Sequence, residues 1–339
     1  AFNICGEGNI CCRLPKTSSE VPSASTTFRT PSTHRPTTTT HRSLLNFNLP
    51  NLVSTILKPV TSTKFNEKPK CVSRTGKKIE KRILIEEDYD DDSLVGETAF
   101  AEYPWMIEIL KKNRKTGSFE YKCGGVLVSP TSAITANHCL KGALTNPSNF
   151  IIRAGEWDRS STLEFAPHHD RQVSRIISHP QYYSGGLFND IALLKWNNPL
   201  EKEVNVAPLC LPDEHEVIAP GTYCTVTGWG KSNEDAPTTD KLKFAKVPIV
   251  SRDTCERQFQ DHRLGKRFRL HESFICAGGE AGIDSCTNDG GSPLICPRSD
   301  GTFVLTGLVS WGLDCGLQNV PGTYTNVQHL LGWIKNNDK

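Results

Sequence analysis

A chain of 339 residues has room for one large domain and something smaller beside it. Its 37% hydrophobic and 22% charged residues describe an ordinary soluble protein, and a formal net charge of +2 gives no reason to expect a nucleic-acid partner. No apolar run is long enough to cross a bilayer, and 13 cysteines without a paired zinc-type spacing point to disulfides made in an oxidising compartment. A secreted, extracellular protein is therefore expected.

In chain order, residues 1–16 form a short cysteine-rich segment with Cys5, Cys11 and Cys12, whose pairing the sequence leaves open. The odd cysteine total leaves at least one thiol over, which points outside the given chain or to a missing segment. The start at Ala1, without a charged-then-apolar leader, reads as a mature end from which a signal peptide has been removed. Residues 17–70 read as a disordered linker. From Thr17 to Ser43 more than half of the residues are Ser or Thr, with Pro22, Pro31 and Pro36 between them, too little apolar surface to offset the entropy of ordering. Leu44 to Leu57 is more apolar, but Pro50 interrupts it and a sticky linker segment is the reading.

Residues 71–97 read as a connector. Lys77, Lys78, Lys81 and Arg82 are followed at once by Glu86, Glu87, Asp88, Asp90, Asp91 and Asp92. This is either a plain solvated joint or a protease-sensitive one, with Arg82 as the cleavage residue. Residues 98–339 change texture. Short β-branched runs (Ala133–Ala136, Ile191–Leu194, Thr225–Thr227, Val304–Val309) alternate with Gly, Pro and Asn turns. Helical period is sustained only at the end, from Val327 to Ile334, so an all-β domain with a closing helix is expected.

Three segments in that domain carry chemistry: Thr135-Ala136-Asn137-His138-Cys139, Asn189-Asp190-Ile191-Ala192-Leu193-Leu194, and Cys286-Thr287-Asn288-Asp289-Gly290-Gly291-Ser292-Pro293. With Thr227-Gly228-Trp229-Gly230 and Ser310-Trp311-Gly312, they resemble the chymotrypsin-like serine proteases over roughly residues 95 to 339. The resemblance implies two six-stranded β-barrels, with His138 as general base and Asp190 as its orienting carboxylate. The attacking serine would follow Asp289. Gly290 stands there and has no side chain.

Loss of that serine alone removes about 10⁶ in kcat in a related mechanism. Ser292 is two residues away, roughly 6–7 Å along extended chain, and a misplacement of ~1 Å already costs about 100-fold. Asn288 stands at the oxyanion-hole position, where the family has glycine. A pseudo-protease is expected. Asp284, with Gly312 and Gly322 as pocket walls, matches the trypsin-like slot for a Lys or Arg side chain, either retained for binding or an inherited relic.

The resemblance also implies disulfides Cys71–Cys210, Cys123–Cys139, Cys224–Cys296, Cys255–Cys276 and Cys286–Cys315. Ordinary zymogen activation is not expected, because Ser93 precedes Leu94-Val95-Gly96-Glu97 and the spacing to Pro104-Trp105 is short. Glu156, Asp158 and Glu164 lie where related domains carry a calcium loop, so they are either calcium ligands or a solvated acidic loop. The stretch Arg263, Lys266, Arg267, Arg269 is either a docking surface for an acidic partner or a solvated loop.

Cys5-Gly6-Glu7-Gly8-Asn9-Ile10-Cys11-Cys12 resembles the end of a clip domain, truncated or degenerate. Arg153-Ala154-Gly155-Glu156-Trp157-Asp158 and Pro167-His168-His169-Asp170-Arg171 are similar to the clip-domain serine protease homologues, in which Gly replaces the serine. This implies a non-catalytic cofactor or regulator in an extracellular protease cascade, of the type that activates prophenoloxidase in melanisation and innate immunity. Its partners would be a protease, a proenzyme or a second copy of itself. An adhesive or developmental matrix protein and a protease with weak residual activity are the alternatives.

Overall fold

The structure, a computed structural model, describes residues 93–141, 146–230, 239–284 and 289–339. The clip-like segment, the linker, the connector up to residue 92 with Cys71 and Arg82, and the positions Cys286 and Asn288 lie outside the described residues.

Two antiparallel sheets make up the fold. The first contains β2 (Met106–Lys112), β3 (Phe119–Ser129), β4 (Ser132–Thr135), β5 (Phe150–Ala154), β6 (His169–Gln172), β7 (Arg175–Ser178) and β8 (Ala192–Lys195), in the order β6-β5-β2-β3-β4-β8-β7. Its two end strands are consecutive in sequence. The junction closes the sheet, because Val173 N–H donates to Phe150 O at 3.1 Å on one side and Ser174 N–H donates to Lys195 O at 2.8 Å on the other. β6 and β7 thus act as one bent strand of a closed barrel, which reconciles seven assigned segments with the six strands expected.

The second sheet contains β9 (Tyr223–Gly228), β10 (Lys243–Val250), β11 (Phe274–Ala277), β12 (Pro293–Pro297), β13 (Phe303–Trp311) and β14 (Gly322–Asn326). It closes because β9, at one end of the order, also pairs with β10 from Lys243↔Gly228 to Pro248↔Tyr223. The short β1 (Val95–Glu97) is an addition outside that barrel, paired with β10 at Val95↔Ala245. The segment after Ser93 therefore joins the domain as an edge strand, although its spacing to Pro104-Trp105 is short.

Alternation explains the barrels. β5 reads buried at Phe150, Ile152 and Ala154 and half-buried between, the period of a strand with one face inward. Trp105, Ile107, Ile109, Val126, Ile134, Ile152 and Leu193 fill the first interior, and Val226, Val247, Leu294, Val304 and Tyr324 the second. All but Val226 are fully buried.

The expected C-terminal helix is α2 (Leu331–Asn337), with Leu331 and Ile334 buried. A second helix, α1 (Arg252–Phe259), departs from the reading that only the C-terminal end is helical. It buries only Cys255 and Phe259, one i,i+4 pair in an otherwise polar stretch, too little to show a period. Its start is fixed by Ser251, whose hydroxyl oxygen accepts the Thr254 N–H at 3.3 Å.

Cys123–Cys139, Cys224–Cys296 and Cys255–Cys276 are bonded. Cys210 and Cys315 are also disulfide-bonded.

Candidate functional site

The site lies where the two barrels meet. β4 is followed after Ala136 by the 3₁₀ turn Asn137–Leu140, which carries His138, and Asp190 stands two residues before the start of β8. The His138 backbone N–H donates to Asp190 Oδ1 at 2.8 Å, and His138 Nδ1 lies 2.7 Å from Asp190 Oδ2. Two residues of the second barrel complete the arrangement. The Ser310 hydroxyl in β13 donates to Asp190 Oδ2 at 2.7 Å, and the Thr325 hydroxyl in β14 donates to the Asp190 carbonyl at 2.9 Å. Asp190 is wholly buried, so this carboxylate is satisfied by donors from both barrels.

Across from the imidazole lies Gly290. A Cβ built on it would stand 2.7 Å from His138 Nε2 and 3.2 Å from Cε1, closer than unbonded carbon and nitrogen ordinarily approach. The backbone there is pinned. Gly124 N–H donates to Gly290 O at 3.1 Å, Gly291 N–H to Val309 O at 2.8 Å, and Ser292 N–H to Asp289 O at 2.9 Å. Gly291 has φ +79°, and a Cβ there would press on the Gly124 carbonyl at 2.6 Å.

Ser292 is fully buried, packed against Gly124 and Gly228, and its hydroxyl has no hydrogen-bond partner among the described residues. A hydroxyl sealed in backbone cannot reach a substrate carbonyl, which removes it as a substitute nucleophile. Cys123, His138 and Cys139 bring their side-chain donors within 4.8 Å of one another. Both sulfurs are spent on each other in the disulfide, so the group is not a metal centre.

Asp289 precedes Gly290 directly. Its Oδ1 accepts the Gly230 N–H at 2.8 Å, and it is nearly buried. Tyr121 lies close by, its phenol held well above its usual range first by burial and then by the Asp289 charge. The Arg159 guanidinium stacks on the Tyr121 ring at 4.8 Å and lies 3.7 Å from the buried Glu108 carboxylate. Burial lifts Glu108 to about 7, against the opposing pull of Arg159. Sequence reasoning missed Glu108. The only sign was one carboxylate between Ile107 and Ile109.

The Asp284 carboxylate accepts the Gly316 N–H at 3.2 Å through Oδ2, and a Cβ on Gly322 would stand 3.1 Å from its Oδ1. Glycine at 322 leaves that carboxylate its room. Gly312 is exposed, with nothing nearer than 4.0 Å to a Cβ built there, so side chains do not wall off that edge.

Glu156, Asp158 and Glu164 do not converge on a common centre among the described residues. Asp158 Oδ1 accepts from the Ser160 N–H at 3.0 Å and the Ser160 hydroxyl at 2.6 Å, while Glu164 Oε1 accepts the Asp158 N–H at 2.8 Å. Glu156 faces His168 Nδ1 at 2.9 Å and Arg153 at 3.5 Å. Burial and the nearby Glu164 lift the Glu156 carboxyl to about 7, while burial lowers His168.

The basic stretch carries its own counterions: Arg263 lies 3.6 Å from Asp314, Lys266 contacts Asp261, and Arg269 lies 3.6 Å from Glu256.

Residues 95–334 match the family model described as Trypsin. Phenoloxidase-activating factor 2 of Galleria mellonella is 39% identical over 81% of this chain and 91% of that protein. Inactive CLIP domain-containing serine protease A28 of Anopheles gambiae is 36% identical over 82% of this chain and 71% of that protein. Serine proteinase stubble of Drosophila melanogaster is 37% identical over 70% of this chain and 30% of that protein.

Proposed function

The chain belongs to the trypsin family, and from that premise we propose that it is a pseudo-protease acting as a cofactor or regulator in an extracellular protease cascade of the melanisation type. The observation that carries this reading is Gly290 opposite His138. The base and its orienting carboxylate stand in order, with no hydroxyl for the base to deprotonate. Ser292 does not replace it.

The relatives named as inactive CLIP proteases and as phenoloxidase-activating factors support both halves of the reading, the inactivity and the cascade. Three described disulfides suit an oxidising, extracellular setting. In this role the Asp284 slot receives a Lys or Arg side chain of a protease, a proenzyme or a second copy, and holds it uncleaved.

The test is hydrolysis of an Arg-containing chromogenic peptide before and after trypsin treatment, together with binding of a Lys or Arg peptide to wild type and to Asp284→Asn. No turnover, with binding that weakens in the variant, is expected. Turnover that persists after trypsin is inhibited and removed overturns the pseudo-protease reading. Equal binding by wild type and variant removes the slot from it.

A further inference from the structure

Six of the chain's 7 tyrosines belong to the folded domain, and each is poorly placed for modification. Tyr103 and Tyr324 are buried, Tyr121 lies beneath the Arg159 guanidinium, and Tyr182 is half-buried. Tyr183 and Tyr223 are exposed, but their sequence neighbours are Gln181, Ser184, Thr222 and Cys224, none of them acidic. The seventh, Tyr89, lies outside the described residues and differs from all of them in sequence. Glu86, Glu87 and Asp88 precede it directly, and Asp90, Asp91 and Asp92 follow it directly.

We propose that Tyr89 is a sulfation site, esterified on its phenolic oxygen in the secretory pathway. The inference rests on the extracellular reading above. A tyrosine sulfotransferase must hold a polyanionic nucleotide phosphosulfate, so its cleft is cationic, and an acceptor with carboxylates on both sides complements that field. In the transfer, the phenol oxygen attacks the donor's sulfur and the bond from sulfur to the phosphate oxygen breaks. The phenol proton passes to a base of the transferase, and the nucleotide bisphosphate departs. No other reactant is needed.

The structure fixes where this stretch enters the domain. The Ser93 hydroxyl donates to Val95 O at 2.6 Å, and Val95 is 47% exposed in β1, which among the described strands has only β10 beside it. Three residues separate Tyr89 from Ser93 and six separate it from Arg82, so along the chain the modified residue falls between the candidate cleavage residue and β1. An aryl sulfate adds a permanent negative charge and further acceptor oxygens to the six carboxylates, a group suited to bidentate recognition by an Arg-bearing partner.

The experiment is peptide mass spectrometry on the protein collected from the medium of a eukaryotic secretory host. A short acidic tyrosine peptide known to be sulfated in that host is co-expressed as a control. The tryptic peptide beginning at Ile83 is expected to carry one added SO₃ that phosphatase does not remove. The addition should vanish in Tyr89→Phe and when chlorate blocks synthesis of the donor. It should fall several-fold when Asp88 and Asp90 are both changed to Asn, which leaves the tryptic peptide intact. An unmodified peptide beside a sulfated control, or an addition that phosphatase removes, overturns the site. Either result leaves the extracellular reading intact, since the protein will have been recovered from the medium. Failure of the chain to reach the medium would overturn that reading and the site with it.

Discussion

Gly290 does more than delete a hydroxyl. A Cβ at this position would stand 2.7 Å from His138 Nε2, so the imidazole occupies ground that any side chain there would need. Restoring the serine therefore forces the ring to move, and the pinned backbone of Gly290 and Gly291 cannot retreat in its place. Gly290→Ser is expected to fold yet hydrolyse an Arg chromogenic peptide at least ~100-fold more slowly than an active trypsin-like relative, the scale of loss that misplacement by about 1 Å brings. Rates matching the active relative would show that the ring yields freely. The retained dyad also has a structural use that does not need catalysis. Asp190 collects a backbone N–H, an imidazole nitrogen and a hydroxyl from two different barrels. Asp190→Ala leaves those groups short of partners and is expected to lower stability by about 3 kcal/mol in urea denaturation. A change within the error of the midpoint would mean that the barrels do not depend on this tie.

Within β2, the buried carboxyl of Glu108 ties protonation to folding. Its ordinary value of 4.5 rises to about 7 in the folded chain, and Glu156 in the adjoining loop behaves alike. Between those values the folded protein keeps protons that the unfolded chain has released, so stability falls as pH rises from 4.5 to about 7 and levels off above. Arg159 and Arg153 oppose the rise at Glu108, while Glu156 and Asp170 add to it. Glu108→Gln carries no charge at any pH. It is expected to match wild type near pH 5 and to exceed it by about 1–3 kcal/mol near pH 8, at about 1.4 kcal/mol per pKa unit. Parallel stability–pH curves for the two proteins would refute the assignment. In α1, Ser251→Ala removes the acceptor for Thr254 N–H and is expected to cost about 1 kcal/mol, read as a lowered urea midpoint. These elements also mark what the sequence made legible. The runs around Ile134, Leu193, Val226 and Leu305 announce strands because β-branched and apolar residues cluster between turns, and each lies in a strand. His138 and Asp190 were readable for another reason: the segments Thr135–Cys139 and Asn189–Leu194 resemble those in which the chymotrypsin-like proteases carry the base and its orienting carboxylate. Glu108 and Arg159 were not, because strand pairing and a distant loop bring them together and neither leaves a local pattern. α1 was hidden by having only Cys255 and Phe259 to bury.

Across the whole molecule, the two barrels and the segment ahead of them are joined by different means. The barrels share the Asp190 hydrogen bonds and a continuous core, in which Trp229, Leu305 and Leu308 of the second pack with residues of the first. β1, three residues on the edge of β10, opens the described domain. A cut after Arg82 leaves β1 on the larger fragment, so this strand does nothing to retain the piece that ends at Arg82. Cys210 is bonded, and Cys71 is the partner that the resemblance assigns to it. If that pairing holds, a cut after Arg82 leaves both pieces joined. Limited trypsin digestion is then expected to give one band without reductant and two with it, the larger beginning at Ile83 by N-terminal sequencing. Two bands without reductant would sink the Cys71–Cys210 bond. They would also make the cut a release of the N-terminal segment, where the intact tether makes it a rearrangement within one covalent molecule.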